Sequence, residues 1–403
     1  MGQQRVGPII FTFIFAVYFS RNIVGDEALG SAYWGYTIGF SGLFIAIASP
    51  ILGAITDTYG PRKFILGGLT IITILSTFAL FWAQPNSNFI SYAVIFVAIT
   101  TIGFELAQAQ YNAMLPDIAP SNILGRLSGI AWGLGYFGGL VCLSIALVGF
   151  IGLGAEAPGL FGISTDQDLN IRSTCLLAAA WYAFFSLPLF IWVPDRPKKH
   201  NKSPLLKTSF INLKNTLKTL TTTSKNTLRF LIASAIYRDG LNTLFVVGGL
   251  YAAGTFDMNF QDILIFAIGL NITSAIGAFI FGFFDDVYGS KFVITGSLMA
   301  LIILGTCIIF IQDKNSFLII TLILGLFIGP IQSSSRALLA KISPTHKTTE
   351  LFGLYAMSGK SIAFTGPLCF AFLTQMTGSQ RWGMASIIIL WIIGFLLIRK
   401  VKI

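Results

Sequence analysis

Charged residues fill only 10% of the chain, against about 25% in an ordinary soluble domain. Too few charges remain to cover a water-exposed surface. One soluble core also stops growing near ~250–300 residues, well short of this chain's 403. A soluble globular protein is therefore excluded. Histidine is scarce too: His200 and His346 are the only two, and neither lies in an apolar stretch. The four cysteines (Cys142, Cys175, Cys307, Cys369) are scattered singly and lack metal-ligand spacing, so they read as small buried hydrophobes. No metal site and no cofactor is expected. Gly-x-Ser-x-Gly and His-Glu-x-x-His are both absent. Gly359-Lys360-Ser361 imitates the end of a phosphate loop, but Gly353 precedes it by five intervening residues where four are required. An ATP-driven pump or an enzyme is not expected.

What the chain does have is apolar sequence, 55% of its residues, arranged in long stretches between short polar ones. About 20 predominantly apolar residues suffice to span a bilayer. The pattern predicts twelve spanning helices at 7–24, 30–54, 63–83, 88–115, 127–153, 173–194, 229–252, 260–284, 291–311, 316–340, 351–375 and 381–399. The first lacks a small-residue cleavage site and is read as a retained span rather than a signal peptide. The expected fold is an all-α integral membrane protein. Its expected division is residues 1–194 as one six-helix bundle, 195–228 as a basic linker and 229–403 as a second six-helix bundle.

The net charge of +10 would fit nucleic acid, but its distribution does not. Nine of the 26 Lys and Arg lie between Arg196 and Arg229, and most others sit at span ends. An even number of spans puts both termini on one side. That side would carry Arg62, Lys63, Arg126, the 196–229 cluster, Lys291, Lys341, Lys347 and Arg399 to Lys402, whereas the other has few bases beyond Arg21, Arg172, Lys314 and Arg381, with acids Asp26, Glu27, Glu156, Asp166, Asp168, Asp257 and Asp262. Positive loops stay inside, so both termini are expected in the cytoplasm of a bacterial inner (plasma) membrane. Segment 195–228 is either an amphipathic helix on anionic lipid or an unstructured linker. The lipid bilayer is the expected partner, and a monomer is expected.

A repeat joins the halves. Gly53-Ala-Ile-Thr-Asp57-Thr-Tyr-Gly60-Pro-Arg62-Lys63 follows the second span, and Gly282-Phe-Phe-Asp-Asp286-Val-Tyr-Gly289-Ser-Lys291 follows the eighth, at an offset of 229. Asn112, Pro120 and Gly129 recur as Arg336, Pro344 and Gly353 at an offset of 224. Two matched features point to a duplicated six-span unit. In the loop, glycines permit a tight turn, and an Asp at the membrane boundary suits a helix N-terminus. Asp57 is expected to face the start of the eleventh helix, and Asp286 the start of the fifth near Arg126, latching the halves together. Arg62, Lys63 and Lys291 would bind the latch or lipid phosphates, and Arg336 would join Arg126 in gating contacts. A purely topological turn is the competing reading.

The Gly-x-x-x-Asp-x-x-Gly-x-Arg-Lys loop resembles the signature of the major facilitator superfamily, with Thr58 where many members carry a base. Further stretches are similar to the branch containing the autophagy-related vacuolar amino-acid effluxers and their bacterial relatives. They are Tyr111-Asn112-Ala-Met-Leu-Pro116-Asp117, Gly125-Arg126-Leu-Ser-Gly129 with Trp132-Gly133-Leu-Gly135-Tyr136, Asp239-Gly240-Leu-Asn242-Thr243, Tyr251-Ala-Ala-Gly254-Thr255-Phe256, Gln332-Ser-Ser-Ser-Arg336 and Phe352-Gly353-Leu-Tyr355-Ala-Met-Ser-Gly359-Lys360. Members usually begin the first helix with Tyr-Asp-x-Ala-Asn-Ser; this chain opens Met-Gly-Gln-Gln-Arg, so no substrate role carries over for that stretch. The resemblance implies two pseudo-symmetric six-helix bundles, with helices one, four, seven and ten lining a central cavity.

Ionisable groups at bilayer depth cost at least ~2.5–3.5 kcal/mol on insertion scales, so they need partners or a wet cavity. Glu105, Arg238, Asp239 and Lys360 all fall near the expected midplane. Helical spacing puts Glu105, Gln108 and Asn112 on one face, Arg238 and Asn242 on another, and Gln332, Ser335 and Arg336 on a third. Two readings compete for Glu105 and the Arg238/Asp239 pair: a substrate or proton site, and a buried structural ion pair. For Gln108, Asn112, Asn242 and Gln332 the rival is helix–helix hydrogen bonding, the role also given to Asn271 and Ser274. Lys360, on a helix peripheral to the cavity, reads equally as packing or snorkelling, and Tyr355 in the same stretch is left undecided.

The function expected is a secondary transporter moving a small solute by alternating access. The resemblance implies amino-acid efflux, and an acid at depth offers a place for a coupling proton. The rival is a membrane receptor or scaffold that kept the fold and lost transport.

Overall fold

The computed structural model describes residues 11–59, 62–118, 137–152, 159–195, 225–342 and 348–402, and within them the backbone is helical, with no strand. Without water in a bilayer, every backbone N–H and C=O must be satisfied inside its own segment, and an apolar helix does this.

The first half runs through α1 (Phe11–Val24), α2 (Glu27–Tyr59), α3 (Lys63–Ala79, extended by the 3₁₀ turn Leu80–Trp82), α4 (Ile90–Ile118), α5 (Phe137–Ile151) and α6 (Leu169–Trp192). The second half comprises α7 (Lys225–Phe256), α8 (Phe260–Tyr288), α9 (Ser290–Phe310), α10 (Lys314–Ile342), α11 (Thr348–Ile362), α12 (Thr365–Thr377) and α13 (Gln380–Arg399). Among the described residues, nine of these are long and apolar enough to cross a bilayer: α2, α3, α4, α6 to α10 and α13. α1 and α5 are shorter apolar helices, and the expected starts of both spans lie outside the described residues. Most of the expected linker also lies outside them, but its last residues, from Lys225, already belong to α7.

The eleventh expected span is not one helix. α11 stops at Ile362 and α12 begins at Thr365. Pro367 accounts for the interruption: it has no N–H, and its ring clashes with the carbonyl four residues back, that of Ala363. The chain tightens there, with the Ala363 N–H donating to Lys360 O at 3.4 Å.

The duplication foreseen from the loops recurs in the packing. Lys63 Nζ donates to Phe190 O at 2.9 Å, and Lys291 Nζ to Arg399 O at 3.1 Å. At the opposite end, Arg172 Nε donates to Phe81 O at 2.8 Å, and Arg381 Nη1 to Ile309 O. In both halves, then, a base at a helix start ties the third helix to the last. Each base meets carbonyls that a helix terminus leaves unsatisfied, where a cation is electrostatically favoured. Lys291 thus pairs with Lys63 rather than with Arg62, because the second turn is one residue shorter.

These bonds engage Lys63 and Lys291 away from the expected latch, whose contacts of Asp57 with the eleventh helix and of Asp286 with the fifth lie outside what the structure describes. The lysines hold each turn within its own half rather than to the other half. Asp195 accepts from the Arg62 and Lys63 backbone amides at 2.9 and 3.2 Å, capping α3. The buried carboxylate of the second turn is Asp285, which accepts from Ser290 Oγ at 2.6 Å and Lys341 Nζ at 3.0 Å; Asp286 beside it is exposed. Gly53 and Gly282 stand inside α2 and α8, and the turn itself falls on Gly289, whose φ of 85° suits glycine. Gly60, Arg126 and the side chain of Asp57 lie outside what the structure describes.

The two halves meet where helices lack side chains. Gly35, Gly39 and Gly42 form one stripe of α2, and a Cβ at any of them would run into Ala371, Leu368 or Phe364 around α12. Gly249 on α7 packs in the same way against Thr12 and Phe13 of α1. Such stripes permit close helix approach without a hydrophobic driving force. The lipid-facing perimeter is lined by exposed Phe64, Phe279, Phe283 and Phe310, while Trp34, Trp391, Phe13 and Phe230 fill the interior. Asn271 and Ser274 do not bridge helices, since both donate to carbonyls one turn back on α8. Cys142 and Cys175 are buried as expected, but Cys307 and Cys369 are exposed.

Candidate functional site

The break between α11 and α12 lies deep in the bundle. Lys360 is twelve residues past Thr348, or about 18 Å along the helix, and Glu105 is thirteen before Ile118, about 20 Å. Both are well inside a ~30 Å hydrocarbon core.

Lys360 closes α11 and reaches across to the other half. Its Nζ donates to Glu105 Oε2 at 2.7 Å and to the Glu105 carbonyl at 3.0 Å. A cation at a helix C-terminus is favoured by the dipole, and here it also receives a full counter-charge. The pair is not sealed: 34% of the Glu105 side chain and 23% of Lys360 stay accessible. Neither packing nor snorkelling describes Lys360; its partner is the acid on α4.

Arg238 and Asp239 are neighbours in sequence and point apart. The Arg238 guanidinium lies 4.0 Å over the Tyr355 ring, and its Nη1 donates to Tyr355 O at 3.0 Å. Tyr355 is in turn stacked on Phe230, with ring centroids 6.1 Å apart. Gly359 makes the fit possible, because a Cβ there would sit 3.0–3.1 Å from three guanidinium atoms. Arg238 therefore braces α11 one residue before Lys360 leaves it. Asp239 faces the break instead. It is 0% exposed, and its Oδ2 accepts from the Gly366 N–H at 2.8 Å, in the first turn of α12. Its Oδ1 is buried with no hydrogen-bond partner.

The amides expected around this centre are spread over α4, α7 and α10. Gln108 lines a small cavity with Leu66, Thr70, Tyr111, Tyr182 and Phe190, between α3, α4 and α6, and Tyr182 there lies within electrostatic reach of Glu105. Asn242 is exposed one turn beyond Arg238, and Gln332 and Arg336 are half-buried on α10. The Asn112 side chain lies outside what the structure describes. Sequence reasoning passed over Tyr237, whose hydroxyl meets that of Ser335 at 2.6 Å between α7 and α10.

It also passed over the far end, opposite the C-terminus, where hydrogen bonds joining the halves cluster. Arg21, at the end of α1, bonds Glu27 through Nε, the Met258 carbonyl through Nη1 at 2.7 Å and the Ala253 carbonyl through Nη2 at 2.6 Å. It also pairs with Asp257 at 3.1 Å. Gln380 Nε2 donates to Ser31 Oγ at 2.7 Å, and Tyr36 Oη to Gln375 Oε1 at 2.6 Å. One signal was available: Arg21 is a rare base on the side where acids predominate.

Comparison with known proteins joins this geometry to a family. The model of "Vacuole effluxer Atg22 like" proteins matches residues 21–403. The chain belongs to that family. It is 26% identical over 393 residues to the uncharacterized MFS-type transporter YxiO of Bacillus subtilis (strain 168), covering 97% of this chain and 90% of that one. Autophagy-related protein 22 of Saccharomyces cerevisiae (strain ATCC 204508 / S288c) is 22% identical over 411 residues, covering 87% of this chain and 74% of its own. Among solved structures, a D-xylose-proton symporter superposes with a TM-score of 0.69 at 16% identity, covering 100% of this chain and 97% of its own. A bacterial homologue of the human lysosomal transporter Spinster, inward-facing and unoccupied, gives 0.66 at 14% identity, covering 99% and 96%. The fold is the major facilitator fold, and the protein is a multi-pass membrane transporter of the MFS type.

Proposed function

We propose that this transporter exports a small zwitterionic solute of the amino-acid class by alternating access, coupled to protons. The observation that carries this reading is the Glu105–Lys360 ion pair, which joins the halves at mid-depth and remains partly accessible. A charge at this depth needs a counter-charge at every stage of a cycle. An α-amino acid brings both signs on one carbon: its carboxylate can replace Glu105 as partner to Lys360 while its ammonium replaces Lys360 as partner to Glu105. The pair then opens without leaving either charge uncompensated. Glu105 and Lys360 make up the proposed binding site, joined in this proposal by Asn242 from α7 and Gln332 from α10, with Arg238 acting through α11.

Export here means passage out through the far end, closed in this state around Arg21 and Gln380, starting from the terminus end. That end carries Lys63, Lys291, Arg399 and Lys400, whereas Asp26, Glu27, Asp257 and Asp262 are at the other, so we place the termini in the cytoplasm of a bacterial plasma membrane. The name of the matched family, an effluxer, agrees with that direction.

The test is a thermal-shift screen of the purified protein against amino acids, peptides and nucleosides. Hits are repeated on Glu105→Gln and Lys360→Met. Stabilisation by an amino acid that both substitutions weaken tenfold or more is expected. A ligand that stabilises wild type and both variants equally sinks the site assignment, and a response to nucleosides alone sinks the solute class.

A further inference from the structure

We propose that Asp239 is the proton-carrying group of the transporter, and that its proton controls the joint between α7 and the broken eleventh span. The inference rests on the transport reading above, but it assigns the coupling proton to one residue, away from the Glu105–Lys360 pair.

Three observations meet at Asp239. First, it is wholly buried at mid-depth, and one oxygen has a donor, Gly366 N–H, while the other has none. Second, no cation lies within ion-pair distance of it among the described residues. Arg238 turns away onto Tyr355 and Gly359, and Lys360 is committed to Glu105. Elsewhere around it, α13 presents Trp391 and Ile387 beside Gly240, with no ionisable group, and α12 adds only the Cys369 thiol. On α7 itself, Tyr237 is engaged by Ser335 and the Thr243 hydroxyl by the Asp239 carbonyl. Third, the carboxylate oxygen that is bonded caps a helix start created by the break, where an N-terminus holds partial positive charge.

A buried carboxyl with one donor and no counter-ion can be satisfied by a proton or by a small cation. The packing favours the proton. A metal ion needs several oxygen ligands around it, whereas a Cβ added at Gly366 would already collide with Thr243 and meet Asp239 Oδ1 at 3.3 Å. A proton needs no room. In the step proposed, hydronium on one face of the membrane gives a proton to Oδ1: its O–H bond breaks to leave water as the carboxyl O–H bond forms and the carboxylate becomes neutral. That O–H bond breaks later, returning the proton to water as hydronium on the other face.

The structural consequence follows from what α12 touches. Ionised, Asp239 draws the start of α12 onto α7; neutral, it loses its attraction for the helix dipole. The other face of α12 packs on the Gly35–Gly39 stripe of α2, in the opposite half. Uptake of one proton thus loosens the anchor of the helix that joins the two halves. Broken helices whose termini face ion sites at mid-membrane are a recurring device of secondary transporters.

The test uses the full chain in lipid with protons as the only ligand. Infrared difference spectra are recorded across a pH titration of wild type, Asp239→Asn, Asp239→Glu and Glu105→Gln. A protonated-carboxyl band that gives way to carboxylate as pH rises is expected in wild type and Glu105→Gln, lost in Asp239→Asn and displaced in Asp239→Glu. A band missing from wild type at every pH overturns the proposal, as does one unchanged in both Asp239 variants. Should Asp239→Asn not fold, Asp239→Glu alone decides. No solute enters the measurement, so it can fail while the transport reading stands, and the ligand screen can fail without touching it.

Discussion

Lys360 and Glu105 lie 255 positions apart in sequence and 2.7 Å apart in space, and their contact is a charge-assisted bond between the two halves at the depth of the broken helix. A surface pair is worth up to ~1 kcal/mol, and breaking a fully buried pair costs ~3–5 kcal/mol. With about a third of Glu105 accessible, this one falls between.

Glu105→Gln and Lys360→Met are each expected to destabilise the protein by about 1–3 kcal/mol, discounted for that exposure. The double variant should recover part of the loss, because neither charge is then left alone. Thermal unfolding of all four proteins gives the coupling. Strictly additive effects would mean that the pair does not act as a unit.

Arg238→Lys is not conservative here. Lysine keeps the charge but loses the flat guanidinium that fits between the Tyr355 ring and Gly359. We expect solute binding to weaken several-fold, with a similar loss in Gly359→Ala, whose new methyl displaces the same guanidinium. Ligand titration by thermal shift checks both; unaltered affinity in both removes Arg238 from its bracing role.

Arg21→Gln should loosen the far end. The substitution removes the cation from Glu27 and Asp257, and most of the donors that hold the Ala253 and Met258 carbonyls. In a background without native cysteines, Ser31→Cys should then react several-fold faster with a membrane-impermeant thiol reagent. Equal rates with and without Arg21 would show that the seal lies elsewhere.

Lys63→Ala and Lys291→Ala provide the contrast. Each lysine ties a turn to the last helix of its own half, so each substitution should cost about 0.5–1.5 kcal/mol, the worth of an ordinary hydrogen bond, without altering far-end labelling. A change in labelling would restore a latch between the halves.

The fold was legible because its signals are long and repeated: apolar runs, span-end charges and a duplicated turn. Even the pairing of halves left its trace, since Lys63 and Lys291 recur at matching places. Depth was legible as well, and it selected Glu105, Arg238, Asp239 and Lys360. Direction was not. Arg238 and Asp239 read as a pair because they are adjacent, yet successive helical positions point about 100° apart, and each found a different neighbour. Lys360 was undervalued because its position on the eleventh span outweighed the chemistry of a mid-depth lysine. The break itself was written in Thr365-Gly366-Pro367, but a strongly apolar surrounding concealed it. Asp285 and Asp286 show the finest limit: two identical side chains one residue apart, of which only packing chooses the one that works.

The division of the eleventh span bears on how such a molecule moves. Both pieces touch both halves: α11 leans on α7 through Arg238 and reaches α4 through Lys360, while α12 is held to α7 through Asp239 and seated on the glycine face of α2. One continuous stretch of chain therefore has a foot in each body, with two residues, Ala363 and Phe364, as its knee. Flexure at that knee lets α11 and α12 change their angle without breaking the contacts of either, so a single short segment can take up rocking of one half against the other.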